Sequence, residues 1–167
     1  GDNGFAGRRR LSIIAGMLDH FKTCVLGQFE AALWMLHDCI TKCPPQHWAG
    51  PTSIIAKYEF WHVAYHTLYC TDIYLSPNEQ SFEVRPDFHP GGVRDIDDEY
   101  PSRQMHQDEL IKYAMHCLAK LRTALAAETE QSLKGESGHE RRTFSRGELY
   151  LYNMRHIMHH TGQLSAH

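Results

Sequence analysis

The chain has 167 residues, of which 42% are hydrophobic, a proportion typical of one globular domain with its own core and not of a disordered chain. Its formal net charge of -3 leaves no broad basic surface for nucleic acid or an anionic membrane. No apolar stretch approaches the about 18 residues that cross a bilayer. Five scattered cysteines, an odd number, favour a reduced, cytoplasmic protein.

The first helix is predicted from the spacing of apolar residues. Residues 1–10 are glycine-rich and carry an arginine cluster, so they are predicted to form a flexible leader before a single domain at 11–167. Between about residues 11 and 40, apolar side chains recur at three- and four-residue steps, which is typical of an amphipathic helix. Pro44 and Pro45 are predicted to end this helix.

Three further helices are predicted along the chain. The second spans about residues 53–75, starts at a Thr52 or Ser53 cap and is rich in aromatic residues. A proline- and glycine-rich loop at 77–102 separates it from a third helix at about 102–128. The fourth begins at Ser145, which with Glu148 has the spacing of a capping box. The sequence therefore predicts an all-α protein, a four-helix bundle with a long crossover loop between helices 2 and 3.

Histidines recur at helical spacing in two of these helices. His156 and His160 are four residues apart, as are His62 and His66, so each pair lies on one helix face and can ligate a transition-metal ion. In the fourth helix the pair falls on a predicted core stripe with Leu149, Tyr152 and Gln163. Buried polar groups need partners, which leaves two interpretations: a metal site between the helices, or core histidines that are satisfied by hydrogen bonds.

Two segments resemble the DinB-like family. The segment WHVAYHTLY at 61–69, followed by DIYL at 72–75, resembles the second helix of that family. The segment RHIMHHTGQL at 155–164 resembles its last helix, which has the pattern H-x-x-x-H-x-G-Q. The resemblance extends over nearly the whole chain from Leu11. It implies a four-helix bundle in which three histidines hold one divalent metal ion.

The resemblance also implies which residues form the site. His156 and His160 correspond to the two ligands of the last helix, and His66 corresponds to the ligand of the second helix. His62, one turn before His66, is predicted to support the site or to act as a fourth ligand. Gln163 is predicted to orient a ligand histidine from the second shell, and Glu59 is a further supporting candidate. Asp72 is interpreted as a contact on the helix surface.

Several functions remain compatible with such a site. Three imidazoles with open coordination positions are typical of catalytic sites, and DinB-like relatives include thiol-dependent transferases and isomerases. The first hypothesis is an enzyme, a thiol transferase or a hydrolase, with a small-molecule substrate and a low-molecular-weight thiol as cosubstrate. The alternatives are a metal-binding or sensing protein and a helical interaction module with a vestigial site.

The metal and the oligomeric state are the last expectations. Imidazole ligands suit zinc or nickel, and iron and copper as well. Nucleic acid and membrane are not expected partners. A homodimer is predicted, since relatives often dimerise and Trp61, Tyr65, Tyr58 and Leu68 present more apolar surface than one core stripe buries, unless the 77–102 loop covers it.

Overall fold

The computed structural model describes residues 3–50, 58–92 and 101–166, with side chains described from residue 16 onward. This part of the chain is all-α, which confirms the predicted fold class. Its helices are α1 (Asn3–Lys42), α2 (Pro45–Trp48), α3 (Phe60–Leu75), α4 (Gln107–Ala127), α5 (Glu130–Lys134) and α6 (Arg146–Ser165), with one 3-10 helix at Glu79–Ser81. Among the described helices, none combines the length and the apolar character that a membrane crossing requires.

The first two long helices differ from the prediction mainly in where they begin. Helix α1 starts at Asn3 and so includes residues 3–10, for which the sequence predicts a flexible leader. It ends at Lys42, before Pro44, as predicted. Helix α3 begins at Phe60, not near residue 53, because Glu59 has extended backbone angles. The predicted caps Thr52 and Ser53 lie outside the described residues.

The second half of the chain follows the prediction more closely. Helix α4 begins at Gln107, five residues later than predicted, where the Glu109 carboxylate accepts a hydrogen bond from the backbone N–H of His106 at 2.7 Å. The Ser145–Glu148 capping box at the start of α6 is confirmed. The short helices α2 and α5 are not predicted by the sequence, because four or five residues are too few to show a helical period.

The four long helices pack around a common core. Helices α1 and α3 each contact both α4 and α6. Helices α1 and α4 run antiparallel, since the Lys22 ammonium group donates to the carbonyl of Ala126 while the Gln107 amide donates to the carbonyl of Ile40. The largest side chains that are fully buried between the helices include Phe29, Leu33, Leu36, Leu68, Leu110, Tyr113, Leu121, Leu149 and Ile157.

The aromatic surface of α3 is covered within one chain. Fifteen of its sixteen residues are buried, among them Trp61, Tyr65 and Leu68. The Tyr65 ring lies 6.3 Å from the ring of Tyr113 on α4, and it also stacks on Tyr69. These side chains therefore need no second subunit to leave water, and the predicted dimer has to be argued on other grounds.

Asp72 is buried in the interface between α3 and α4, which corrects its interpretation as a surface contact. Only 1% of the residue is exposed. Its carboxylate accepts hydrogen bonds from Lys120 at 2.5 Å and from the Tyr113 hydroxyl at 3.0 Å. Burial raises the pKa of Asp72, but the hydrogen bond from His116 and the charge of Lys120 outweigh it, and the net shift is downward. The sequence does not reveal this because the partners are more than 40 residues away.

His89 extends this buried network into the segment that follows α3. Its Nδ1 accepts the backbone N–H of Arg85 at 2.8 Å, so the neutral ring carries its proton on Nε2. Nε2 lies 2.7 Å from the Tyr113 hydroxyl, which donates onward to Asp72. The first half of the predicted 77–102 loop is thereby anchored on α3 and α4. Residues 93–100 of this segment lie outside the described residues.

The burial of His89 predicts a measurable loss of stability in acid. Burial lowers the pKa of His89 from 6.5 to about 4, and the neighbouring charges, of which Asp72 acts in the opposite direction, have smaller effects. A lowered histidine pKa stabilises the fold above pH 6.5, and this stabilisation is lost as the pH falls towards 4. The His89→Gln amide can make both hydrogen bonds. We expect the free energy of unfolding of this variant to fall by about 2 kcal/mol less than that of the wild type between pH 7.5 and pH 5. Urea unfolding at both pH values measures this, and equal losses would contradict it.

Candidate metal centre

Helices α3 and α6 run antiparallel, and polar contacts set their register. At the start of α6, Arg146 donates hydrogen bonds to the last carbonyl groups of α3. Midway along the interface, the buried Asn153 amide donates to the Thr71 carbonyl at 3.2 Å. Because the register is fixed at these two points, the two histidines in the second half of α6 lie opposite His66.

The structure brings His66, His156 and His160 together. Each offers a ring nitrogen within 4.8 Å of the others, and the ring centroids are 4.5 to 5.4 Å apart. The Nε2 atoms of His156 and His160 are 3.1 Å apart. Two nitrogens that each lie about 2.1 Å from one ion, at the angles of a tetrahedral or octahedral site, are separated by about 3.0–3.4 Å. The observed spacing therefore suits two ligands of one ion.

The histidines of α6 lie beside the core and not in it, which corrects the predicted stripe. The fully buried line of this helix consists of Leu149, Asn153, Ile157, Thr161 and Leu164. The neighbouring line is half-buried and consists of Tyr152, His156, His160 and Gln163. Both lines repeat at about four residues, so the period alone does not show which one faces the other helices. The three histidines are therefore half-buried at the edge of the core and partly open to solvent.

Both α6 histidines are neutral at physiological pH. Burial, reinforced by His160 and His66, lowers the pKa of His156 from 6.5 to about 3. Burial also lowers the pKa of His160 to about 4, although its hydrogen bond with Gln163 opposes this. Neutral imidazole is the form that ligates a metal ion, so no proton has to be displaced from these two ligands near pH 7.

Gln163 hydrogen-bonds to one of the three histidines, and its predicted role in supporting a metal site remains a prediction. Its Oε1 lies 2.7 Å from Nδ1 of His160, and its Nε2 lies 3.2 Å from the ring of the exposed His159. Since a carbonyl oxygen can only accept, His160 carries its proton on Nδ1 and presents the lone pair of Nε2 towards the other two histidines. Gln163 thus fixes both the tautomer and the orientation of one candidate ligand.

We expect the Gln163→Leu variant to bind metal more weakly without losing the site. Removing an outer partner of a ligand histidine costs about 10–100-fold in affinity, while all three nitrogens remain. Competition with a chromophoric chelator measures the change. His159→Gln is the matched control, because it alters the other side of the same amide and is expected to change the affinity by less than about threefold. Unchanged affinity in Gln163→Leu would show that the glutamine plays no part.

The other two predicted site residues, His62 and Glu59, lie outside the three-histidine group. His62 is almost buried, and its ring packs against Tyr58 and Trp61, with centroids 5.0 and 5.5 Å away. It is not part of the three-histidine group found among the described residues. Glu59 precedes the first residue of α3 and accepts a hydrogen bond from the Trp61 indole. The supporting roles of His62 and Glu59 remain predictions.

Sequence reasoning missed three residues around the histidine group, Cys70, Tyr74 and Arg142, and placed Tyr152 on the predicted stripe without a contact of its own. On α3, Cys70 follows His66 by one turn, with its sulfur 3.7 Å from His66 Nε2, and Tyr74 follows by another turn. On α6, the Tyr152 ring stacks on His156 at a centroid distance of 6.3 Å. Arg142, just before α6, contacts both tyrosines. The four-residue spacing of the residues on the two helices was visible in the sequence, whereas the position of Arg142 in a loop gave no signal.

Comparisons of this chain with family models, with curated proteins and with solved structures find no match.

Proposed function

We propose that this protein is a DinB-like four-helix bundle and a metal-dependent enzyme. In this proposal His66, His156 and His160 hold one divalent transition-metal ion, with zinc or nickel preferred to iron or copper. The site acts on a small molecule as a thiol-dependent transferase or a hydrolase. The packing of α1 and α3 against both α4 and α6 supports the bundle. The motif residues of α3 and α6 support the family, because the histidines they share with it lie side by side.

The convergence of three half-buried imidazoles carries the proposal. The ring nitrogens lie close enough to share an ion, and the pKa values of His156 and His160 are lowered far enough to keep both in the ligating form. A bound divalent ion would lower the pKa of a thiol or a water molecule and would polarise an electrophile.

The surroundings of the three histidines favour an open site over a closed one. A closed structural site needs a fourth protein ligand, but His62 packs on Tyr58 and Trp61 outside the three-histidine group. The three histidines are also half-buried, so they remain partly accessible from solvent. This argues for catalysis and against a sensor that holds its metal in a closed, four-coordinate site.

The chain's own residues have distinct tasks in such a site. Gln163 holds His160 in the tautomer that presents Nε2. The Tyr152 ring lies nearly parallel to the His156 ring, with the two centroids 6.3 Å apart, and so borders that ligand on one side. Cys70 contacts His66 from within the helix and is itself buried, so we assign it to packing and not to nucleophilic attack.

A thiol-transfer assay on metal-loaded protein tests this function. Untagged protein is loaded with Zn²⁺ or Ni²⁺ and incubated with an electrophilic chromophore and a panel of low-molecular-weight thiols. We expect turnover that depends on both metal and thiol, and that is lost in His66→Ala but kept in His159→Ala, which alters an exposed histidine. Metal-loaded protein that catalyses neither thiol transfer nor the hydrolysis of esters and amides would contradict the enzymatic proposal and favour a binding role.

We also propose that the protein is a homodimer, on the strength of the family resemblance alone. The aromatic side chains of α3 no longer support it, since they are buried in one chain. Sedimentation at micromolar concentration tests it: a dimer has twice the chain mass of 19.3 kDa, and a monomer of that mass would contradict the proposal.

A further inference from the structure

A positively charged side chain lies beside the candidate metal centre. The guanidinium carbon of Arg142 is 4.8 Å from the ring centroid of Tyr152 and 5.4 Å from that of Tyr74. The Tyr152 ring stacks in turn on His156. Arg142 is close enough to His156 that its charge contributes, after burial and the neighbouring histidines, to the lowered pKa of that ring. The Tyr152 ring therefore lies next to both the guanidinium and the histidine group.

Arg142 has no carboxylate partner within the described parts of the chain. Its Nη1 donates to the backbone carbonyl of Arg141 at 3.0 Å, and its Nη2 donates to the Tyr74 hydroxyl at 2.8 Å. Its Nε is buried without a hydrogen-bond partner. Arg155, whose guanidinium lies 5.3 Å from the Tyr152 ring, likewise has no ion pair with any described residue. Positive charge at a partly buried position is costly unless an anion balances it.

The candidate metal centre adds to this excess of positive charge. Three neutral imidazoles leave the charge of a divalent ion undiminished, so an ion and Arg142 together attract an anion strongly. Three guanidinium protons remain after the bonds to Arg141 and Tyr74 are counted, one on the buried Nε and one on each Nη. Two such donors match the two oxygens of one carboxylate.

We propose that Arg142 and the histidine group together bind a small-molecule substrate that bears a carboxylate. Arg142 holds the carboxylate, and a second polar group of the same molecule reaches the ion. Tyr74 and Tyr152 position the guanidinium between their rings. This inference rests on the proposed function, because it assigns a substrate class to that same site, and it makes Arg142 the residue that selects the class.

The test uses succinate as a probe on Co²⁺-loaded protein, with the affinity measured by calorimetry. We expect Arg142→Gln to weaken succinate binding at least about tenfold, the effect of losing a charged hydrogen bond, with unchanged Co²⁺ content. Arg142→Lys, which keeps the charge but loses the paired donors, should lie between the two. Arg141→Gln is the matched control: it removes the same charge at an exposed neighbouring position and should change the affinity less than about threefold.

Co²⁺ content, measured on every sample, separates this inference from the proposed function. Wild-type protein that takes up no Co²⁺ would overturn both. Protein that holds Co²⁺ would overturn the inference alone in any of four cases: wild type does not bind succinate, Arg142→Gln binds it as tightly as wild type, neutral succinamide binds equally well, or inorganic phosphate binds more tightly than succinate.

Discussion

Replacing Arg146 with methionine is expected to destabilise the protein by about 3–5 kcal/mol, the cost of removing one partner of a buried ion pair. Arg146 is 5% exposed, and its Nε donates to Glu128 at 2.9 Å. Its Nη1 donates to the carbonyl groups of Tyr74 and Ser76, both at 2.9 Å, at the end of α3. Methionine fills similar space but removes the donor of these carbonyls and the positive charge beside Glu128, whose carboxylate keeps hydrogen bonds from Tyr150 and Ser132.

Urea unfolding measures this loss, and the chain offers a matched control. Arg122 forms an ion pair with Glu30 at 2.6 Å, but its side chain is 56% exposed. Arg122→Met is therefore expected to cost less than about 1 kcal/mol, as is usual for a surface pair. If both variants lost the same small amount, Arg146 would not be the residue that fastens α6 to the end of α3.

Replacing His160 with alanine is expected to abolish stoichiometric metal binding. The variant removes one of three converging nitrogens and the group that Gln163 holds in place. The loss of affinity should exceed the about 10–100-fold that is typical of changes behind a ligand. Metal analysis of untagged protein after equilibrium dialysis against Zn²⁺ or Ni²⁺ measures it.

His159→Ala is the control for this variant. His159 is the next residue along the helix, is exposed and stands outside the three-histidine group. The His159→Ala variant should keep one ion per chain, and both variants should keep the helical content of the wild type. Equal metal content in His160→Ala and wild type would show that these histidines are satisfied without an ion.

The parts of the site that lie on one helix were predictable from the sequence. The pairing of His156 with His160 follows from their four-residue spacing, and the start of α6 follows from the Ser145–Glu148 capping box. The partner His66 came from the family motif, because no local rule says which distant helix packs opposite α6.

Contacts between distant residues account for what the sequence did not show. Asp72 looked like a surface residue, because Lys120, which neutralises its charge, lies 48 residues away. Arg142 lies in a loop, where no periodicity in the sequence points to a site. Its contacts with Tyr74 and Tyr152 in the folded chain bring it near the histidine group. The line of α6 that faces the core was also undetermined, since two lines of similar period run along that helix.

X-ray absorption at the edge of the bound ion tests the central claim most directly. Untagged protein is supplied with one equivalent of Zn²⁺ or Ni²⁺ and freed of excess. We expect about one ion per chain, with three imidazole nitrogens at about 2.0–2.2 Å and oxygen in the remaining positions. Protein that retains no ion, or an ion whose ligand shell lacks these three imidazoles, would contradict the assignment of His66, His156 and His160 as a metal site.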